Sequence, residues 1–229
     1  LKSLVVLDSV DSTQDEVIRR LKSGSRVDAV MAFEQTAGRG RFGKSWLSPK
    51  DTCLALSFAW HEAKDCARPE FLALCAGVVA AEVFDTSIAW PNDLVVDGRK
   101  VGGILSEVVP CALGKVPVIG FGVNLTMATP PDGVPWASSL LLEGRPRMVP
   151  LDAAAALLDA LAKQPPPASF SEIETRWSTR DATAGKQFKL HDGRTGKGLG
   201  VTKDGNLMVV VNSEEITLAS AEAIYGSGS

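Results

Sequence analysis

Apolar residues along the chain follow two rhythms, one of strands and one of helices. Residues 4–8, LVVLD, form a short apolar run that predicts a strand. Thr13, Gln14, Asp15 and Glu16 follow as T-x-x-E, a capping box that satisfies free N–H groups at a helix start. Val17, Ile18 and Leu21 then make an apolar stripe, and Gly24 stops it. Segments 29–34, 53–60, 88–90, 94–96, 103–109 and 116–123 are strand-like, with turn residues between them, and predict a mixed sheet. Segments 71–84 and 151–162, long and rich in Ala and Leu, predict helices packed on that sheet.

A break follows at 163–169, KQPPPAS, where three prolines cannot continue a helix and predict a stiff, extended connector. After a short helical stretch around 170–180, short strands alternate with Asp192-Gly193 and Asp204-Gly205, dipeptides that favour tight hairpins. A small β-barrel of about 45 residues is expected there. The chain therefore reads as α+β, with a main unit over 1–167, a linker helix and small barrel over 168–226, and a tail over 227–229.

Composition restricts function more than fold. Lys and Arg total 24 against 27 Asp and Glu, a net charge of -3, so no overall basic field would draw nucleic acid or anionic membrane. Any anion site must be local. The longest nearly uncharged apolar stretch, 71–84, carries Glu82 and is shorter than the ~20 residues of a membrane span. The N-terminus lacks the long apolar core of a secretory signal, which makes the cytoplasm the expected location. The chain starts without Met, so its beginning reads as trimmed, and the closing GSGS, 226–229, reads as a flexible tail outside the fold. Cys53, Cys66, Cys75 and Cys111 show no CxxC spacing and lie in or beside apolar segments, which suits buried thiols. With only His61 and His191 to add, no metal-ligating residues are expected.

The strongest chemical signal is EQTAGRGRFGKSW over 34–46. Gly38, Gly40 and Gly43 match G-x-G-x-x-G, and 38–45 also matches the P-loop pattern G-x-x-x-x-G-K-[ST]. Both patterns need a helix after the loop, because the phosphate sits on its N-terminus. Here Pro49 would interrupt that helix. What remains is local physics: a glycine-rich turn lets backbone N–H groups approach an anion, and Arg39, Arg41 and Lys44 add cations.

The second signal is WPNDLVVDGRKVGGILSE over 90–107. Asp97-Gly98 between apolar arms predicts a two-residue hairpin pairing Val96 with Arg99, Val95 with Lys100, Leu94 with Val101 and Asp93 with Gly102. That register puts Asp93, Val95, Lys100 and Gly102 on one face, with Asp93 and Lys100 as diagonal neighbours. Gly102 and Gly103 remove bulk, so a ligand could lie against the strand. Pro91 predicts an exposed bend at 90–93.

Together these residues resemble the biotin protein ligase family, or biotin-[acetyl-CoA-carboxylase] ligase, in its short form without an N-terminal DNA-binding domain. The resemblance runs in order through Asp11-Ser12-Thr13, GRGRFGKSW, WPND, Arg99-Lys100-Val101-Gly102-Gly103-Ile104-Leu105 and Ile119-Gly120-Phe121-Gly122-Val123-Asn124, and spans nearly the whole chain. It implies a biotin/lipoate ligase-like sheet flanked by helices, followed by a small SH3-like barrel. It also implies activation of biotin with ATP to biotinyl-5'-adenylate, then transfer to one lysine of a carboxylase's biotin carboxyl carrier domain.

By the same resemblance, biotin is held by Ser12, Thr13, Gln14, Gln35, Gly38, Arg39, Gly40, Arg41, Lys100, Gly102 and Gly103. ATP meets Arg39, Arg41, Trp46, Asn92, Lys100 and Asn124, with Trp46 on the adenine and the two asparagines at its edge. Lys100, Arg41 and Asp93 carry the catalysis. Asp93 is left with three roles: orienting metal-bound water, holding Lys100, or deprotonating the acceptor lysine. Mg²⁺ is expected with ATP, with few direct protein ligands. Gln14 stands where the family usually has Asn, Phe42 and Lys44 replace commoner arginines, and Ala89 precedes WPND where lysine is frequent.

Three other readings compete. Lipoate ligases and octanoyltransferases share the fold and a comparable lysine, but lack GRGR with WPND. A biotin-dependent transcription regulator would need a helix-turn-helix and a basic surface. A P-loop NTPase would hydrolyse nucleotide without biotin. No nucleic-acid or membrane partner is expected, and monomer and homodimer both remain open.

Overall fold

The computed structural model describes residues 3–130, 134–190, 192–219 and 223–225. His191 and the 226–229 tail lie outside the described residues.

Strand β1 (Leu4–Leu7) leads through helix α1 (Thr13–Lys22) to β2 (Ala29–Ala32), which pairs parallel to β1. Strand β3 (Cys53–Ala59), helix α2 (Glu70–Val83), β4 (Ser87–Ala89), β5 (Asp93–Val96), β6 (Arg99–Cys111) and β7 (Gly114–Asn124) come next. The seven strands form one sheet in the order β1-β2-β3-β7-β6-β5-β4, and every pairing beyond β1 and β2 is antiparallel. This is the mixed sheet that the apolar segments predict.

Alternate residues send the sheet into two cores. On one face α1 covers Val30, Ala59, Val109, Val116 and Val118. On the other, Ala29, Met31, Leu54 and Leu56 pack with α2 and with α3 (Pro150–Ala162). Helix α2 is apolar nearly all round because it lies between layers. It also approaches β4 closely: a Cβ at Gly77 would come within 2.4 Å of Ile88 Cδ1.

Helix α1 starts one residue away from the predicted box. Ser12, in extended conformation, caps it by accepting from the Asp15 N–H, while the Thr13 hydroxyl is engaged with Gln35 and Ser57. Glu16 pairs with Arg19 and Arg20 instead of reaching back to the cap. Acidic residues in the first turn and basic ones in the last suit the helix dipole.

The hairpin carries a second correction. Asp97 and Gly98 take the positive φ values of the predicted turn, and Val96–Arg99 and Val95–Lys100 pair as expected. The register then shifts, so Leu94 faces Gly102 and Asp93 faces Gly103, leaving Val101 as a bulge. The cause lies across the strand. The Lys100 N–H donates to Trp136 O and its carbonyl accepts from the Ser138 N–H, so this part of β6 pairs with 136–138 beyond the end of β7.

Past the proline connector, a one-turn 3₁₀ segment (Phe170–Glu172) and α4 (Glu174–Ser178) lead to β8 (Gln187–Leu190), β9 (Thr195–Val201), β10 (Leu207–Val211), β11 (Glu214–Leu218) and β12 (Ala223–Tyr225). They form an antiparallel sheet in the order β11-β10-β9-β8-β12, and no pairing closes it into the expected barrel among the described residues. Its inner side chains Phe188, Leu190, Leu207, Val209 and Val211 join the same core as α2 and α3.

That contact buries the 90–93 bend, which the prolyl residue had marked as exposed. Trp90 packs edge-on against Phe188 with centroids 6.2 Å apart, and its indole N–H donates to Gly205 O at 3.0 Å. Burying so large a ring outweighs the preference of a proline bend for the surface. Among the described residues, no helix is long and apolar enough to cross a membrane.

Candidate active site

The face of the sheet under α1 changes character along its length. On β7 its side chains run Val116, Val118, Gly120, Gly122, Asn124, and on β6 they run Val109, Glu107, Leu105, Gly103. Where valines stand, α1 packs; where glycines stand, a cavity of about 290 Å³ opens between α1, the 34–46 loop and the hairpin.

The closed end of the cavity is polar and ordered. The Thr13 backbone N–H and hydroxyl both donate to Gln35 Oε1, at 2.9 and 3.1 Å. Thr13 Oγ1 also meets Ser57 Oγ at 2.9 Å, and Gln35 Nε2 donates to Ser48 Oγ. Ser12, Gln14 and Gly120 complete this end. Gln14 Nε2 donates to Val118 O, while its Oε1 is buried and has no hydrogen-bond partner among the described residues.

The glycine and arginine loop closes on itself. Trp46 N donates to Gly38 O, Gly40 N donates to Lys44 O, and Arg39 bridges Ser45. Its tip is a single 3₁₀ turn, Arg41–Gly43, and no helix comes between it and β3. The P-loop geometry is therefore missing. Phe42 at the tip holds φ 56°, a left-handed value unusual for a bulky residue, and the residue is 56% exposed.

The two loop arginines have separate fates. Arg39 is held between Asp15 and Glu107, with its Nη2 2.7 Å from Asp15 Oδ1 and 2.8 Å from Glu107 Oε2. Burial alone would lower its pKa, but the bonds and charges of Glu107 and then Asp15 hold it above the usual value. Arg41 turns inward, where its Nη1 donates to Asn92 Oδ1 at 3.1 Å. Burial pushes its pKa down, opposed by the charge of Asp93.

Lys100 Nζ donates to Asp93 Oδ1 at 2.6 Å, with Asp93 only 6% exposed. The bulge that breaks the predicted register keeps this pair together, and puts Gly103 rather than Gly102 beside it. Lys100 Nζ also lies 5.7 Å from the Trp46 ring. That ring rests on two glycines: a Cβ at Gly122 would come within 2.4 Å of it, and one at Gly103 within 3.6 Å.

Of the residues singled out from sequence, Gly38 and Gly102 do not line the cavity. Gly38 lies so close to the loop's other arm that a Cβ would come within 2.5 Å of Trp46 O, and Gly102 turns toward Leu94. Ser12, Thr13, Gln14, Gln35, Arg39, Gly40, Arg41, Trp46, Asn92, Asp93, Lys100, Gly103 and Asn124 all reach the wall. Both asparagine amides already serve the scaffold: Asn92 Nδ2 donates to Ile104 O and Asn124 Nδ2 to Ser138 O.

Sequence reasoning missed Ser57, Met127 and Trp136, which also line the cavity, and the carboxylates Asp15 and Glu107 that hold Arg39. Only the glycine spacing of β7 could have hinted at Ser57, its partner across the sheet from Gly120. Among the described residues, no group of three or more His, Cys, Asp or Glu could hold a metal ion.

The family model for "Biotin/lipoate A/B protein ligase family" matches residues 6–124, more than half of the chain. The bifunctional ligase/repressor BirA of Escherichia coli is 38% identical over 136 residues, covering 55% of this chain and 41% of that protein. The biotin--[acetyl-CoA-carboxylase] ligase of Paracoccus denitrificans is 28% identical over 242 residues, covering 96% of this chain and 100% of that protein. The chain thus spans less than half the length of the first relative and all of the second. Among solved structures, the biotin protein ligase from Aquifex aeolicus in complex with biotin and ATP superposes over 100% of both chains, with a TM-score of 0.78 and 25% identity.

Proposed function

Since the chain belongs to the biotin/lipoate A/B protein ligase family, we propose that it activates biotin with ATP and passes biotin to one lysine of a carboxylase's biotin carboxyl carrier domain. The observation that carries this reading is Lys100, held by buried Asp93 between a closed polar end and the Arg41 and Trp46 side of one cavity. The relatives support the same reaction: two bear the name biotin--[acetyl-CoA-carboxylase] ligase, and the Aquifex aeolicus protein was solved with biotin and ATP.

In the first step a biotin carboxylate oxygen bonds to the α-phosphorus of ATP, and the bond from that phosphorus to pyrophosphate breaks. Two anions must meet, so the site has to supply positive charge where the new bond forms. Lys100 and Arg41 supply it. Asp93 takes, of its three candidate roles, that of orienting Lys100, which their contact favours. In the second step the acceptor amine bonds to the acyl carbon, the bond to AMP breaks, and the amine loses a proton.

Ser12, Thr13 and Gln35 hold the ring end of biotin, and the backbone of Arg39, Gly40 and Arg41 meets its carboxylate end. Trp46 lies along the adenine. Asn92 and Asn124 each give one amide N–H to the scaffold, and the second N–H of each NH₂ group is the one offered to the adenine edge. Mg²⁺ would arrive on the polyphosphate, which it neutralises, since the described residues offer no cluster to hold it.

The lipoate and octanoate alternative is disfavoured by the closed end, whose hydrogen-bonded polar groups suit a ring urea better than an alkyl chain. Incubation with ATP, biotin and a carrier-domain acceptor tests the proposal. Biotinyl-adenylate and a mass gain on one acceptor lysine are expected. Equal use of lipoate or octanoate would favour the alternative, and ATP turnover indifferent to any acid would overturn both.

A further inference from the structure

We propose that Gln14 is a specificity-determining residue, whose side-chain carbonyl accepts a hydrogen bond from one ring N–H of the bound acid. The inference rests on the reading of the cavity as a biotin site and extends it to a single atom.

Gln14 is the second residue of α1 and is 3% exposed. Its orientation is fixed by elimination. Val118 O lies 3.2 Å from one end of the amide and can only accept, so the NH₂ group must face it and Oε1 must point the other way. Oε1 then sits above Gly120, where a Cβ would lie 2.7 Å from it and 3.4 Å from Ser57 Oγ. The absence of that Cβ leaves room for a ligand at this point.

The other groups of the closed end already have partners. Gln35 Oε1 accepts twice from Thr13, Gln35 Nε2 is bonded to Ser48, and Thr13 Oγ1 is bonded to Ser57 Oγ. Gln14 Oε1 has none. A buried acceptor left unpaired is costly, so an acid that brings an N–H to this position gains over one whose tail is hydrocarbon or disulfide.

The test compares wild type and Gln14→Met, which keeps the length and removes the amide. Adenylate formation is measured with biotin and with its two mono-N-methyl ureido isomers. Wild type is expected to discriminate against the isomer whose methyl replaces the hydrogen facing Gln14. In Gln14→Met the KM for biotin should rise roughly 5- to 100-fold, the loss falling on KM rather than kcat. The difference between the isomers that Gln14 imposes should vanish. An unchanged isomer ratio would overturn the assignment while leaving the biotin reading intact. Failure of wild type to form biotinyl-adenylate would overturn both. Should Gln14→Met not fold, the isomer ratio of Gln14→Asn, whose carbonyl falls one methylene short, carries the same decision.

Discussion

Lys100 shows how a residue can be legible while its setting is not. Its place in an Arg-Lys-Val-Gly-Gly run beside a turn marks it in the sequence as a candidate, and Asp93 as its neighbour. The pair is close, but through a bulge, because 136–138 takes up the Lys100 backbone groups. No local pattern announces a contact from 36 residues further on. Gln14 is the reverse case: its identity is plain, and only the folded chain reveals that Val118 fixes which end of its amide is turned from the sheet backbone toward the cavity. The consequence for Lys100 is direct. Replacing a preorganised charged donor at a reacting centre typically costs about 10²- to 10³-fold in rate, so Lys100→Gln should lose that much of kcat for pyrophosphate release while biotin binding measured by calorimetry changes far less. An equal loss of binding and rate would place Lys100 in ground-state recognition instead.

At the scale of elements, periodicity located the strands of the main sheet and both long helices, because burial imposes those rhythms on the sequence. It could not place the first turn of α1 correctly, since Thr13 and Ser12 are both good caps and the choice depends on Gln35 and Ser57, distant in sequence. The start of α1 also carries a pH signature. The bonds from Arg19, helped by the Ser12 N–H, lower the Asp11 pKa from 3.8 to about 2. A carboxylate with a depressed folded pKa stabilises the fold above its unfolded pKa, and that contribution disappears as pH falls from about 4 through about 2. Thermal unfolding of Asp11→Asn should therefore differ from wild type at pH 6 and converge with it near pH 2, with a small gap that shrinks in salt because both groups are exposed. Further along, Arg39 joins the 34–46 loop to α1 through Asp15 and to β6 through Glu107. Glu107→Gln should loosen this closure and speed release of the adenylate, and the wild-type rate should approach that of the variant as ionic strength rises. Rapid filtration of labelled adenylate measures both, and salt-independent rates in the two proteins would show that Arg39 does not hold the loop.

Across the whole molecule, the proline run foretold a break in the chain, but not how closely its two sides cooperate. Phe170, Trp177, Phe188 and Leu207 from beyond the prolines share one core with α2 and with Trp90. This cooperation is hard to read from sequence because it depends on an indole reaching Gly205 O and the Phe188 ring, contacts separated by about a hundred residues of chain. Its functional interest lies in the residues just after Trp90. Two positions on, Asn92 accepts from Arg41, and Asp93 next to it holds Lys100. The C-terminal sheet thus buttresses the bend that positions the proposed charge cluster, without lining the cavity itself. Phe188→Ala would leave a void against Trp90 and should lower unfolding stability by about 3 to 5 kcal/mol, the usual cost of removing a buried aromatic ring. At a temperature where the variant is still folded, its adenylation kcat should fall while the KM for biotin stays near wild type, because the void adjoins the bend and not the closed end. A loss of stability with unchanged kcat would confine the C-terminal sheet to a structural role, and the support it lends to Asn92 and Asp93 would have to be abandoned.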